Sequence, residues 1–168
     1  MDEIILVNKD DNVLGSGEKL DVHKKGLTHR AFSIFIFNSD GELMLQKRDS
    51  GKYHSGGLWT NTCCSHPRKG EDINIAVHRR LKEEMGFDTQ LEEKFVFHYR
   101  AEFDNGLIED EVDHVFYGYY DGEPELNPEE AEDWKWISLE DLKEDIKANP
   151  ENYTAWLREI IGKIDPEK

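Results

Sequence analysis

A chain of 168 residues that is 37% hydrophobic and 11% aromatic can bury one sizeable core, so a single domain over residues 1–168 is expected. A formal charge of −16 argues against nucleic acid and anionic membrane as partners, while an anionic small molecule could still be held by local cations or bound metal. The chain has no apolar run of the roughly 18 residues a membrane span needs, and its acidic start lacks the basic head of a signal peptide, so a cytoplasmic location is expected.

Residues 3–8 predict a short strand, and Asp10-Asp11-Asn12 and Gly15-Ser16-Gly17 predict turns. The polar stretch 19–29 carries Lys19, His23, Lys24, Lys25 and His29. Residues 31–37 are apolar at nearly every position, the pattern of a strand covered on both faces. A turn at 38–41 and alternation over 42–48 make residues 31–48 a predicted hairpin. A loop over 49–57, with Lys52 inside it, leads to a predicted strand over 58–65.

Ile73, Ala76, Val77, Leu81 and Met85 then recur at helical spacing and mark one buried face, with Arg80, Glu83 and Glu84 off it. Gly86 suits the left-handed residue that ends a helix. Aromatic-rich strands are expected over 94–103 and 112–120 around the turn Asp104-Asn105-Gly106, and a last strand over 133–137. Ser138-Leu-Glu-Asp141 has the pattern of a capping box, and a closing helix begins near Tyr153. The sum is a mixed α/β (α+β) domain with about three helices.

The chemistry concentrates in Thr60-Asn-Thr-Cys-Cys-Ser-His66-Pro67-Arg68-Lys69-Gly70-Glu71, which offers two thiols and an imidazole before an acidic helix. Cys63 and Cys64 are expected as free thiols, because neighbouring cysteines pair only with strain. Glu109 and Glu111, if in a strand, point to one face while Asp110 points away. With His23, His29 and His66 they would make a nitrogen–oxygen set for a divalent ion such as zinc, manganese or magnesium. Each histidine alone reads equally as a satisfied core or surface residue, since nothing local ties residues 23, 66 and 111 together. Glu83 and Glu84 have the form of a helix that holds a magnesium–diphosphate, or of a solvated acidic face.

Residues 65–87 resemble the Nudix box, with Ser65 in place of its first glycine and Arg80 in place of a metal-binding glutamate. The closer resemblance is to the type I isopentenyl-diphosphate isomerases, which use a modified Nudix fold. It is carried by Leu27-Thr-His29-Arg-Ala-Phe-Ser33, Trp59-Thr-Asn-Thr-Cys-Cys64-Ser-His66-Pro67, Arg79-Arg80, Tyr99-Arg-Ala101, Glu109-x-Glu111 and Trp156, and it spans most of the chain. Where the family commonly has an apolar residue before its catalytic cysteine, this chain has Cys63, and its Cys-Gly-His-Pro glycine is Ser65.

That resemblance implies a Nudix-like mixed sheet flanked by helices. It also implies conversion of isopentenyl to dimethylallyl diphosphate in isoprenoid biosynthesis, by antarafacial protonation and deprotonation through a tertiary carbocation. His23, His29, His66, Glu109 and Glu111 would bind one divalent metal (Mn2+, Mg2+ or Zn2+). Glu84, with the Cys64 backbone, would bind Mg2+ at the diphosphate. Lys19, Arg48, Lys52 and Arg80 would hold that diphosphate. Glu111 with Tyr99 would protonate the alkene, Cys64 as a thiolate favoured by the adjacent magnesium would remove the C2 proton, and Trp156 would face the cation. Strand parity puts Cys64 on the side of His66 and buries Cys63 on the other. The expected partner is a small-molecule diphosphate, with no nucleic acid or membrane, for a monomer or weak dimer. A diphosphate hydrolase and a non-catalytic binding module are the competing readings; the first needs a carboxylate where Arg80 stands.

Overall fold

The computed structural model describes residues 3–52 and 55–167, so Tyr53 and His54 of the predicted 49–57 loop lie outside it. In chain order the elements are β1 (Glu3–Val7), β2 (Val13–Glu18), α1 (Lys19–Lys25), β3 (His29–Phe37), β4 (Leu43–Arg48), β5 (Trp59–Thr60), β6 (Cys63–Ser65), α2 (Ile73–Met85), β7 (Leu91–Glu102), β8 (Ile108–Tyr119), β9 (Ala131–Ile137), α3 (Leu139–Ala148) and α4 (Ala155–Ile160). Among the described residues the nine strands form one mixed sheet with helices on both faces.

Strand β3 is its spine. It runs parallel to β8 from His29↔Glu111 to Phe37↔Tyr119 and antiparallel to β6 on its other side. Its even positions Phe32, Ile34 and Ile36 pack with Ala76, Val77, Leu81 and Met85 of α2. Its odd positions Phe35 and Phe37 pack with Leu142 and Ile146 of α3 and Leu157 and Ile160 of α4. Both faces are therefore covered, as the continuous apolar run requires.

The predicted hairpin over 31–48 exists only at its tip. Strands β3 and β4 meet at the single pair Phe37↔Leu43 and then diverge, β4 pairing instead with β9 and β5. The divergence leaves space between the two arms, because β6 and β8, not β4, flank β3.

Three further expectations change. Gly15-Ser16-Gly17 lies within β2, where it pairs with β1. The polar stretch after it contains α1, capped by Glu18 accepting from the Asp21 amide and ended by left-handed Gly26. The predicted 58–65 strand is broken into β5 and β6, because Asn61 and Thr62 turn their side chains onto backbone groups of neighbouring strands. Ser138 caps α3 as its sequence predicts, accepting from the Asp141 amide at 3.1 Å.

Gly86 ends α2 at φ 73°, and a Cβ there would fall against the Glu125 carbonyl oxygen. Left-handed backbone costs a non-glycine residue roughly 1–2 kcal/mol before any clash. Gly86→Ala is therefore expected to lower the unfolding free energy by at least that much, read as a lower urea midpoint at unchanged m-value. An unchanged midpoint would show that the Glu125 loop yields freely.

Candidate active site

The site is where the layer between the sheet and α3/α4 turns from apolar to ionisable. Along β8 the inward odd positions run Tyr117, Val115, Asp113, Glu111, Glu109; along β3 they run Phe37, Phe35, Ser33, Ala31, His29. The parallel register sets His29 beside Glu111 and Ala31 beside Asp113. Asp110 faces the other way and pairs with His98 and Arg100.

Four side chains from four segments converge there. His23, His29, His66 and Glu111 each offer one ligand atom, all within 4.8 Å of one another. His29 Nε2 and His66 Nε2 lie 3.2 and 3.1 Å from Glu111 Oε2. His29 Nδ1 donates to the Leu27 carbonyl at 3.0 Å and His23 Nδ1 to the Lys19 carbonyl at 2.7 Å. A neutral imidazole has one N–H, so these contacts turn the Nε2 lone pair of each ring away from the backbone. At His29 that lone pair meets a carboxylate oxygen, and two acceptors face each other across a gap that a cation would bridge.

Burial lowers His66 to about 3, and also lowers His23, so both rings are neutral as a ligand must be. Burial first, then Glu111, pushes Glu109 far up, so this carboxylate pair retains one proton. Glu109 lines the cavity beside this cluster, outside the 4.8 Å group. The donor set thus fits a divalent ion.

Metal added to chelator-treated protein should raise Tm. A hundredfold excess over Kd stabilises by about 2.7 kcal/mol, roughly 5–10 °C for a chain of this size. No shift with Mn2+, Zn2+ or Mg2+, where His66→Ala gives the same flat response, would remove the metal reading.

Next to this cluster lies a cavity of about 60 Å³ lined by Lys19, Arg48, Lys52, Arg80, Glu84 and Trp156 among others. The cations come from α1, β4, the loop after it and α2. Burial and then Lys52, Arg48 and Arg80 lower the Lys19 ammonium. Glu84 is buried, which removes the solvated-face alternative for it. Its Oε1 accepts from Gln46 at 3.0 Å and its Oε2 from Arg80 at 2.8 Å. A carboxylate has about four lone-pair positions, so Glu84 retains acceptor capacity toward the cavity.

The two thiols separate by register. Cys64 lies opposite Ser33 and Cys63 opposite Ile34, so they point to opposite faces. Cys63 is fully buried in the α2 core, with its thiol 3.4 Å from Glu84 Oε2. Cys64 lines the cavity and donates to Asn61 Oδ1 at 3.0 Å, while Trp156 Nε1 donates to its sulfur at 3.1 Å. Asn61 is fixed because its Nδ2 donates to the Ile34 and Cys63 carbonyls. Burial, then Asp113, pushes the Cys64 thiol up. The polypeptide alone therefore holds a thiol, and the expected thiolate needs added positive charge.

Tyr99 pairs with Glu111 across β7 and β8, and its buried hydroxyl has no hydrogen-bond partner. Burial, Glu109 and Glu111 push that hydroxyl up, so it stays protonated. Trp156 is buried, with the Arg48 guanidinium 5.3 Å from its ring centroid. Four groups escape the sequence reading: Ser33, Asp113, Asn61 and Glu130. Ser33 donates to Asp113 at 2.7 Å and lies 3.6 Å from the Cys64 sulfur. The inward parity of Asp113 with Glu111 was a usable signal for it; Asn61 and Glu130 carry none.

Residues 27–157 match the Nudix domain family. A relative named isopentenyl-diphosphate Delta-isomerase 2, from Aromatoleum aromaticum, is 53% identical over 97% of this chain and 86% of its own. Another of that name, from Photorhabdus laumondii subsp. laumondii, is 54% identical over 96% and 92%. Among solved structures, a protein from Deinococcus radiodurans superposes with a TM-score of 0.80 at 22% identity, over 96% of this chain and 98% of its own. A MutT protein from Methanosarcina mazei Go1 does so at 0.65 and 22%, over 83% and 94%, a likeness of fold alone.

Proposed function

Because the chain belongs to the Nudix family and, within it, to the isopentenyl-diphosphate Delta-isomerases, we propose that it converts isopentenyl to dimethylallyl diphosphate through the residues of this one cavity. One observation carries the assignment. Cys64 and Glu111 project into the same cavity from β6 and β8, the two strands on opposite edges of β3. A 1,3-proton shift across opposite faces of a short alkene needs an acid and a base set apart in this way.

Lys19, Arg48, Lys52 and Arg80 hold the diphosphate, and Glu84 is the carboxylate beside it. Arg80 is informative because it stands where a Nudix hydrolase places a carboxylate. It ion-pairs with Glu84 at 2.8 Å, which suits holding a diphosphate rather than cutting it. When bound, divalent metal at His23, His29, His66, Glu109 and Glu111, and magnesium at Glu84, supply positive charge that neutralises the diphosphate and sharpens the acid.

Glu111, with the protonated Tyr99 opposite and one proton retained by the Glu109–Glu111 pair, gives a proton to the terminal alkene carbon. The tertiary cation that forms loses its C2 proton to Cys64, which acts as the thiolate that added positive charge at Glu84 would favour, and this restores the double bond one position along. Trp156 lies against that sulfur, and an indole face is worth about 2 kcal/mol or more to a desolvated cation. Burial of Trp156, Phe32 and Tyr99 keeps out the water that would trap the cation as an alcohol.

The test is direct. Incubation with isopentenyl diphosphate and magnesium in D2O, followed by NMR, is expected to give dimethylallyl diphosphate carrying deuterium. Free phosphate with the alkene unrearranged would make the protein a hydrolase, and binding without exchange would make it a binding module.

A further inference from the structure

The cation cluster already contains an anion. Glu130, in the turn before β9, places Oε2 2.5 Å from Lys52 Nζ and Oε1 3.2 Å from Arg80 Nη2. Against burial, Lys52 and Arg80 lower its carboxyl, so it is ionised. Its main chain is tied down. The Glu130 amide donates to the Asn127 carbonyl at 2.9 Å, and its own carbonyl accepts from Asp49 at 3.1 Å. Asn127 in turn donates to the Glu84 carbonyl at 3.1 Å, which fixes the turn to α2. The side chain is the part that can swing.

Space supports the same reading. The cavity of about 60 Å³ holds only a few waters at roughly 10–15 Å³ each on this measure. Glu130 lines both this cavity and the one adjoining it, together with Lys19, Ser65, His66 and Arg80, so it is part of the partition between them. Turning the Glu130 carboxylate aside opens that wall beside Arg80.

We propose that Glu130 is a resident stand-in for a phosphate group: its carboxylate holds Lys52 and Arg80 together, and an incoming diphosphate must displace it. The inference rests on the assignment of those two cations to the diphosphate. It makes Glu130 a positioning residue that sets substrate affinity by competition. An internal competitor divides affinity by the fraction of molecules in which it has moved aside. Because it leaves before chemistry, its removal acts on KM and not on kcat.

The experiment compares binding of inorganic diphosphate, by calorimetry on the full chain with and without Mg2+, in wild type, Glu130→Gln, Glu130→Asp and Lys52→Met. Glu130→Gln is expected to tighten binding by about 3–10-fold and to lower KM for isopentenyl diphosphate in step, with kcat within about twofold. Glu130→Asp, too short to span both cations, should fall between and serves if the glutamine variant folds poorly. Unchanged or weaker binding in both Glu130 variants, or a loss of kcat with KM held, overturns the inference. Lys52→Met separates the two levels: if it weakens binding while the Glu130 variants do not tighten it, the cation assignment stands and the stand-in fails. If none of the variants moves the affinity, both fail.

Discussion

Glu111→Gln is expected to reduce turnover by about 10⁴-fold or more, near 5.5 kcal/mol in barrier. A general acid alone accounts for roughly 10²–10⁴-fold, and this substitution also removes the carboxylate oxygen that lies 3.2 and 3.1 Å from His29 and His66. The neutral amide has one oxygen where the carboxylate has two, so the histidine cluster loses its charged member. The variant separates two effects if metal content is measured with activity. Lost turnover with metal retained places Glu111 in the proton transfer. Lost turnover with lost metal places it at least in the ligand set, and Glu109→Gln, outside the tight group, should then keep more metal than Glu111→Gln. Full activity in Glu111→Gln would end the acid assignment.

How much of this was readable in the sequence depends on whether local periodicity carried the information. The burial of residues 31–37 on both faces, the α2 stripe, the Ser138 cap and the Gly86 stop are local patterns, and they appear as expected. The 31–48 hairpin fails because a turn flanked by two strands says nothing about their partners beyond the turn. Here long-range pairing of β3 with β8 outcompetes β4. Helix α1 escaped because its seven residues bury only Val22 and His23, too few for a stripe to show.

The site divides in the same way. Glu109, Glu111 and Asp113 share a face by strand parity, and Cys64 is told from Cys63 by the same rule. What brings His23, His29 and His66 to Glu111 is tertiary: a helix, the start of β3 and the residue after β6 meet at one end of β8. Only the resemblance supplied that grouping in advance. Glu130 was invisible for a different reason. It sits in an acidic run whose ordinary reading is solvation, and only the positions of Lys52 and Arg80 single it out.

Cys64→Ala should lose at least about 10²–10⁴-fold in turnover, the share of a general base, while Cys63→Ala keeps most of it. Both variants delete one sulfur from neighbouring positions in the same strand, so residue chemistry and location are matched and only the face differs. Cys63→Ala opens a small void in the α2 core and removes the thiol donor to Glu84. Its expected cost is about 1–2 kcal/mol of stability, visible in melting and not in the D2O exchange. Cys64→Ala removes the sulfur that touches Asn61 and Trp156 within the cavity, so its melting point should move less while its exchange at C2 stops. Protonation at the terminal carbon belongs to the other side of β3. A slow wash-in of deuterium there, without dimethylallyl product, would therefore show the acid working with its base removed. Equal losses of turnover from the two alanines would mean that the faces do not divide the labour, and the assignment of Cys64 as the base would fall with them.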